Sequence, residues 1–363
     1  MLKNSLKAYV DGRACEDNIY IRKNTRFTVI TDRLIRVEHS KNGEFFDEAT
    51  QTVWFRNLGK VDFSVKETCS GCLIKTDKAV FLYNDMKKRV ESVTFVPSYK
   101  TVPVSNKNNL GGTVRTLDMT AGIVKLSDGL MSRDGVSFFD DSDSFAVLEN
   151  GELKKRDTKE SDVYVFAYGS DYSSALCDFY KISGKTPLVP RFALGNWWSR
   201  YYAYTQDGYE NLMSRFESEN IPFTVATVDM DWHWVDVDDM IPDEKKSTLN
   251  PFQSLGWTGY SWNTDLFPDY KGFLKFLHNK GLHVTLNLHP RDGIRSHERM
   301  YKEMALANGI DPRTKEGVKF RIGDTNFWNT YFDIIHKPYE RDGVDFWWID
   351  WQQGTKLDVK GLD

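Results

Sequence analysis

Apolar residues recur along this chain with two different periods, and the change falls near residue 185. Up to about residue 170 the apolar runs are short and alternate with polar positions. RFTVITDRLIRVEHS, Arg26–Ser40, holds two such runs around the turn-forming pair Thr31-Asp32. QTVWF, AVFLYN, SFAVLEN and DVYVFAYG repeat the pattern between clusters of Asn, Gly, Asp and Ser. Short strands at that spacing predict a β-sandwich. SSALCDFYKISG reads as a helix that stops at Gly184. KTPLVPR follows, and its two prolines predict an extended connector, because proline restricts both itself and the residue before it. The predicted organisation is a domain over 1–185 and a second over 186–363.

Beyond Arg191 the period lengthens. FALGNWW is a candidate strand. Tyr209, Leu212, Met213 and Phe216 then fall on one face of a helix. PFTVATVDM reads as a buried strand and 231–268 as an insertion rich in Asp, Trp and Gly. DYKGFLKFLHNKG predicts a helix with Asp269 as its N-cap and Gly281 past its end. LHVTLNLHP is a third strand, SHERMYKEMALANG and NFWNTYFDIIHKPYERDG are helices, and VDFWWID is a fourth strand. Strand alternating with helix predicts parallel βα units. All four strands run into polar residues: Ser199-Arg200, Asp229-Met230-Asp231, His289-Pro290-Arg291-Asp292 and Asp350. Such ends converge on one face of a (β/α)8 barrel, whereas an open doubly wound sheet concentrates its chemistry at a switch point. No GxGxxG or GxxxxGK[ST] follows a strand, so nucleotide binding lacks its signature.

Composition narrows the partners. The net charge is −4 with no long basic run, which argues against nucleic acid or an anionic membrane. No apolar run approaches the ~20 residues of a membrane span. The first residues contain no apolar signal-peptide core, so a soluble, cytoplasmic protein is expected. TCSGC has CxxC spacing, but no second pair or nearby histidines complete a zinc site, which leaves Cys69 and Cys72 as ordinary thiols. Eleven Trp, 17 Tyr and 23 Phe favour a carbohydrate ligand over a nucleotide, because sugar rings stack on aromatic faces.

Several residues carry candidate chemistry. Asp350 ends a Trp-rich strand, where a carboxylate is costly unless it is paired or used. It reads either as a nucleophile or general base, or as a helix cap or Arg partner. VDMDWHWVDVDD lacks the Asp/Asn and Gly that a calcium loop needs at its fifth and sixth positions, which leaves Asp229 as a ligand for sugar hydroxyls and Asp236–Asp239 as a solvated loop. His289, Asp292 and His297 do not form HExxH. His289 lines the pocket or is satisfied at its strand end, and both readings stay open. In GWTGYSWN, Trp257, Tyr260 and Trp262 read as a sugar-binding loop, as packing of the insertion, or as both.

In this order and spacing these segments resemble glycoside hydrolase family 31, the α-glucosidase and α-xylosidase family. DRLIRVEHS, DEATQTVWFRN and DGLMSRDGVSFFDDS resemble its N-terminal sandwich. KTPLVPRFALGNWWSRYYAYT, VDMDW, GWTGYSWNTDLFPDYKGFLKFLHNKGLHVTLNLHP and GVDFWWIDWQQG resemble its successive barrel strands. The resemblance implies a galactose-mutarotase-like sandwich followed by the first half of a (β/α)8 TIM barrel. It implies a retaining, α-glucosidase-like hydrolase that acts on α-linked oligosaccharides and needs no metal or organic cofactor. Asp350 would be its catalytic nucleophile, and Asp229, Asp231, Trp348, His289 and Trp262 would bind substrate. Two departures mark a divergent member: Trp351-Gln352-Gln353 stands where Met-Asn-Glu is common, and His289 stands where many members have Asp. In the family the acid/base comes from a later barrel segment, and the stretch after Arg191 is shorter than the ~250 residues of a whole barrel. An N-terminal portion of a longer enzyme, inactive or slow alone, is therefore expected. The alternatives are a non-catalytic carbohydrate-binding protein, an inactive truncated remnant, or an unrelated α/β enzyme whose Asp350 only caps a helix.

Overall fold

A computed structural model of the chain describes residues 1–114, 117, 120–156, 161–241 and 256–350. It divides into two compact units, Ala8–Thr186 and Pro187–Asp363, the latter joined by Met1–Lys7.

The Ala8–Thr186 unit holds two five-stranded antiparallel sheets. One runs in the order Thr101–Pro103, Arg89–Phe95, Ala79–Asn84, Gly71–Lys75, Ser64–Thr68. The other runs Val136–Asp140, Ser161–Ala167, Leu34–His39, Thr25–Thr31, Ile19–Arg22. Alternation along the strands sends Phe27, Val29, Ile35, Val37 and Val165 of one sheet into a core shared with Ile74, Phe81, Val90 and Val93 of the other, so the two sheets form a sandwich. The opposite face of the second sheet packs Ile30, Leu34, Tyr164 and Phe166 on helix Tyr172–Ser183. That helix is capped by Asp171, which accepts from Ser174 N. The same face buries ions: Arg36 donates through Nε and Nη2 to the two oxygens of Asp162, each at 2.8 Å. Arg156 also reaches Asp162 (3.0 Å), and Glu38 bridges Arg26 and Arg36.

Two expected strands are shorter than their apolar runs. QTVWF is broken because Thr50 Oγ1 accepts Val53 N–H (2.9 Å), closing a turn between the two-residue strands Ala49–Thr50 and Phe55–Arg56. In SFAVLEN only Ala146–Val147 is strand, since Gly151 N–H turns back onto Leu148 O. Cys69 and Cys72 flank the tight turn between Ser64–Thr68 and Gly71–Lys75, and all four cysteines are free.

The Pro187–Asp363 unit is built on four parallel strands, Trp197–Trp198, Val225–Val228, His283–Leu288 and Phe346–Ile349, paired in sequence order. Ala226, Val228, Val284, Leu286 and Leu288 point to one face and form a core with Phe273, Leu274, Leu277, Met304, Ile335 and Tyr339 from the helices. The register Thr227↔Thr285, Thr285↔Phe346 and Asn287↔Trp348 places polar and aromatic residues on the opposite face. Consecutive parallel strands with helices on one face are the pattern of a barrel segment. A doubly wound sheet would reverse its strand order.

Helix Gln206–Ser218 starts at Thr205, and helix Tyr270–Asn279 starts at the expected cap Asp269, which accepts Gly272 N–H at 3.0 Å. SHERMYKEMALANG is helical only from Tyr301 to Ala307. The last helix runs from Thr325 to Asp342 and widens to a π turn over Tyr331–His336. Pro338 follows that turn and has no N–H for the carbonyl one turn earlier. Met1–Lys7 dock on this helix through Lys3 N–H to Asn329 Oδ1 (2.8 Å) and the Lys3–Asp333 ion pair. Among the described residues no helix is long and apolar enough to cross a membrane.

Candidate active site

Three of the four strand ends meet. Asp229 follows the second strand and caps the short turn Met230–Trp232 by accepting Met230 N–H at 2.8 Å. His289 follows the third strand, and Asp350 follows the fourth. Side chains alternate across a strand, so Thr285, Asn287 and His289 share the face that Phe346, Trp348 and Asp350 occupy on the neighbouring strand. The pairing continues past the strand ends, with Asp350 N–H donating to Leu288 O at 3.0 Å. Asn287 Nδ2 then donates to Asp350 Oδ2 at 3.0 Å, and His289 Nε2 lies 3.9 Å from the same oxygen. The first strand contributes differently: Arg200 stacks over Tyr202 at 4.5 Å.

Burial and like charge set the electrostatics. Burial raises the Asp229 carboxyl above its ordinary range, the charge of Asp350 adds to this, and Met230 N–H and His289 oppose it. Burial, then the charge of Asp229, raises Asp231 as well. Asp231 is buried, and its Oδ2 has no hydrogen-bond partner among the described residues. His289, only 4% exposed, is lowered by burial against the pull of Asp350 and Asp229. Burial thus favours its neutral imidazole over the charged form. The Asp350 side chain is 46% exposed, far more open than that of His289 beside it.

The aromatic residues divide. Trp348, 36% exposed, lies on the Asp350 face with its ring against Trp197 at 5.8 Å. Trp257 stands edge-on to His289 at 5.0 Å. The structure does not bring Trp262 to this group. It is 5% exposed and packs against Trp232, Phe267 and Tyr270 at 4.9–5.4 Å. Tyr260 from the same loop is likewise buried. The anchoring role of the loop thus falls on Tyr260 and Trp262, while Trp257 is only half-buried. Trp351-Gln352-Gln353 lie outside the described residues.

Asn287 is the participant that sequence reasoning passed over. Its signal was available: it is polar in an otherwise apolar strand, two positions before His289 and on the same face. Among the described residues no three His, Cys, Asp or Glu side chains are placed to hold a metal ion.

A row of parallel strands whose C-terminal ends gather carboxylates, an imidazole and tryptophans is the arrangement expected of a (β/α)8 barrel segment. Residues 186–361 match the model of the glycosyl hydrolases family 31 TIM-barrel domain, and this part of the chain belongs to that family. An α-xylosidase of Saccharolobus solfataricus is 22% identical over 192 residues, covering 53% of this chain and 23% of that protein. The family 31 dextranase of Flavobacterium johnsoniae, complexed with glucose, superposes with a TM-score of 0.59 at 17% identity, covering 94% of this chain and 48% of that one. A family 31 α-xylosidase from a soil metagenome, complexed with xylose, gives 0.60 at 12% identity, covering 92% and 56%. These likenesses show a shared fold, including a β-rich region ahead of the barrel strands. The chain spans about half the length of the two solved structures, and its match spans under a quarter of the curated relative.

Proposed function

We propose that the Pro187–Asp363 unit carries the nucleophile side of a retaining α-glycoside hydrolase. The observation that carries this reading is the convergence of Asp350, Asn287, His289 and Asp229 at adjacent strand ends of a glycosidase barrel segment. Asp350 is the nucleophile, oriented by the Asn287 amide. It attacks the anomeric carbon through an oxocarbenium-like transition state and forms a glycosyl ester, which water then opens with net retention. Asp229 and Asp231 accept hydrogen bonds from sugar hydroxyls, His289 borders the same subsite, and Trp348 faces the ring. The acid that protonates the leaving oxygen, about 5–5.5 Å from the nucleophile in retaining enzymes, is assigned to a carboxyl outside the described residues. The substrate class is α-linked oligosaccharides, with α-xylosides and α-glucosides first, since the relatives are named α-xylosidase and dextranase. For the Ala8–Thr186 unit the finer proposal is a galactose-mutarotase-like sandwich, supported by its two antiparallel sheets around one core.

The test is covalent trapping with a fluorinated α-xylosyl fluoride and its glucosyl counterpart. Fluoride leaves without protonation, so labelling needs only the nucleophile and the subsite. Mass spectrometry is expected to find one glycosyl unit on the peptide containing Asp350, and none after Asp350→Asn. A label on another carboxyl refutes the assignment. Sugar binding without any label favours a non-catalytic binding protein.

A further inference from the structure

Glu298 is a buried carboxylate that the chemistry above does not use. Both of its oxygens face the loop of residues 256–262. Oε1 accepts Tyr260 N–H at 3.1 Å, and Oε2 accepts the Ser261 hydroxyl at 2.6 Å. Ser261 Oγ in turn accepts Arg299 N–H at 2.8 Å, which ties the loop to the chain just after Glu298. His297 Nε2 also lies 3.3 Å from Oε1. At its other end the loop is joined to the third strand: Thr258 Oγ1 donates to the carbonyl of His289 at 2.5 Å and accepts Asp292 N–H at 3.3 Å. Between these two attachments Gly259 runs flat against buried His233, where an added Cβ would stand 2.1 Å from Nδ1. Trp257, adjacent to Thr258, is thereby set edge-on to His289.

We propose that Glu298 is a positioning residue of the sugar site, holding residues 256–262 against the end of the third strand so that Trp257 and His289 form one wall of the pocket. This rests on the reading of the strand ends as a sugar site. Chemistry explains the residue type. Two buried donors, an amide and a hydroxyl, point at one side chain, and a carboxylate offers an oxygen to each. Glutamine keeps one acceptor and turns an NH2 toward the other position, so it restores the clasp in part. Alanine leaves both donors to find new partners.

The experiment uses the 363-residue chain with Glu298→Ala, Glu298→Gln and Ser261→Ala. Hydrogen exchange is read over 256–262 and over Val225–Val228, and xylose and glucose binding is read by titration calorimetry. For Glu298→Ala, exchange is expected to quicken in 256–262 and not in Val225–Val228, and sugar binding to weaken about tenfold or more. Glu298→Gln is expected to fall between Glu298→Ala and the unaltered chain on both readouts. Unchanged exchange in 256–262 overturns the proposal. So does quickened exchange with unchanged affinity, which would make Glu298 merely structural. If Glu298→Ala does not fold, Ser261→Ala must show the same pair of changes at smaller size, and their absence overturns it. If the unaltered chain binds neither sugar, the sugar-site reading fails and the proposal falls with it. The exchange data then tell that failure apart from failure of the clasp.

Discussion

Trp257 and Trp262 stand five residues apart in one loop, and exchanging each for alanine is expected to separate folding from sugar binding. A tryptophan buries about 150–250 Å². At 5% exposure Trp262 realises nearly all of it, and its ring contacts Trp232, Phe267 and Tyr270. At about 25 cal/mol per Å² that burial is worth about 4–6 kcal/mol, and Trp→Ala in a core costs about 3–5 kcal/mol. Trp262→Ala should therefore cost the barrel unit about 4 kcal/mol, a large share of a typical domain's ~5–15 kcal/mol. The fraction that stays folded should bind sugar more weakly only as far as the loop loses its anchor. Trp257 is half-buried, and its edge contact with His289 is worth about 1 kcal/mol. Trp257→Ala should lower stability by about that amount and weaken xylose or glucose binding about fivefold or more, through loss of an aromatic face. Urea unfolding followed by hydrogen exchange in Val225–Val228 reads the first quantity, and calorimetric titration reads the second. A Trp262→Ala protein within 1 kcal/mol of the parent, or a Trp257→Ala protein that binds unchanged, would refute the reasoning.

Three further outcomes follow from burial and charge. His233 and His336 are lowered by burial to about 4 and about 3. The unfolded chain takes up these protons near pH 6.5 and the folded barrel unit does not, so its stability is highest above 6.5 and falls toward pH 4. The loss is on the order of 3 kcal/mol for His233 alone. His336 has no polar partner for either ring nitrogen among the described residues, so His336→Leu should flatten this dependence and gain about 1 kcal/mol. Urea midpoints at pH 7, 6 and 5 check both points, and a flat profile counts against them. In the sandwich, burial pushes the Asp162 pKa up, but Arg36 outweighs it and holds the group at about 2. Asp162 thus adds stability above about pH 4 that is lost as pH falls toward 2, on the order of 2 kcal/mol. Asp162→Asn leaves buried Arg36 with Glu38 as its remaining carboxylate and should cost about 3 kcal/mol at pH 7, read by exchange in Leu34–His39. Finally, Gly259→Ala should destabilise the barrel unit by about 2 kcal/mol through its clash with the His233 ring, seen as a lower melting temperature. An unchanged melting temperature would show that the ring moves aside.

Much of the fold was readable because it rests on local geometry. A strand shows itself by alternation, so AVFLYN became Ala79–Asn84 and VDFWWID contained Phe346–Ile349. A helix shows itself by its apolar face and its cap, so Asp269 and Gly281 bracketed Tyr270–Asn279. The polar residues that end the parallel strands were readable for the same reason, and Asp350, Asp229 and His289 were named from them. Asn287 obeys the same alternation and was legible in principle.

Other features depend on pairing between distant segments, which no local period encodes. Strand register set Asn287 beside Trp348 and so brought its amide to Asp350, 63 residues away. Packing decided which ring of GWTGYSWN turned inward, because aromatic spacing alone does not say which face is covered. The turn at Thr50–Val53 broke an apolar run whose hydrophobicity still serves the core through Val53. Arg36 and Asp162 lie buried because two strands 126 residues apart place opposite charges side by side, so the attraction offsets the cost of removing each from water. Sequence by itself determined most of the elements, the parallel kind of the βα strands and the residue types at their ends. Only the tertiary structure decided which of those residues touch, because hydrogen bonds and burial act over a few ångströms and the chain must first fold to bring their partners within that range.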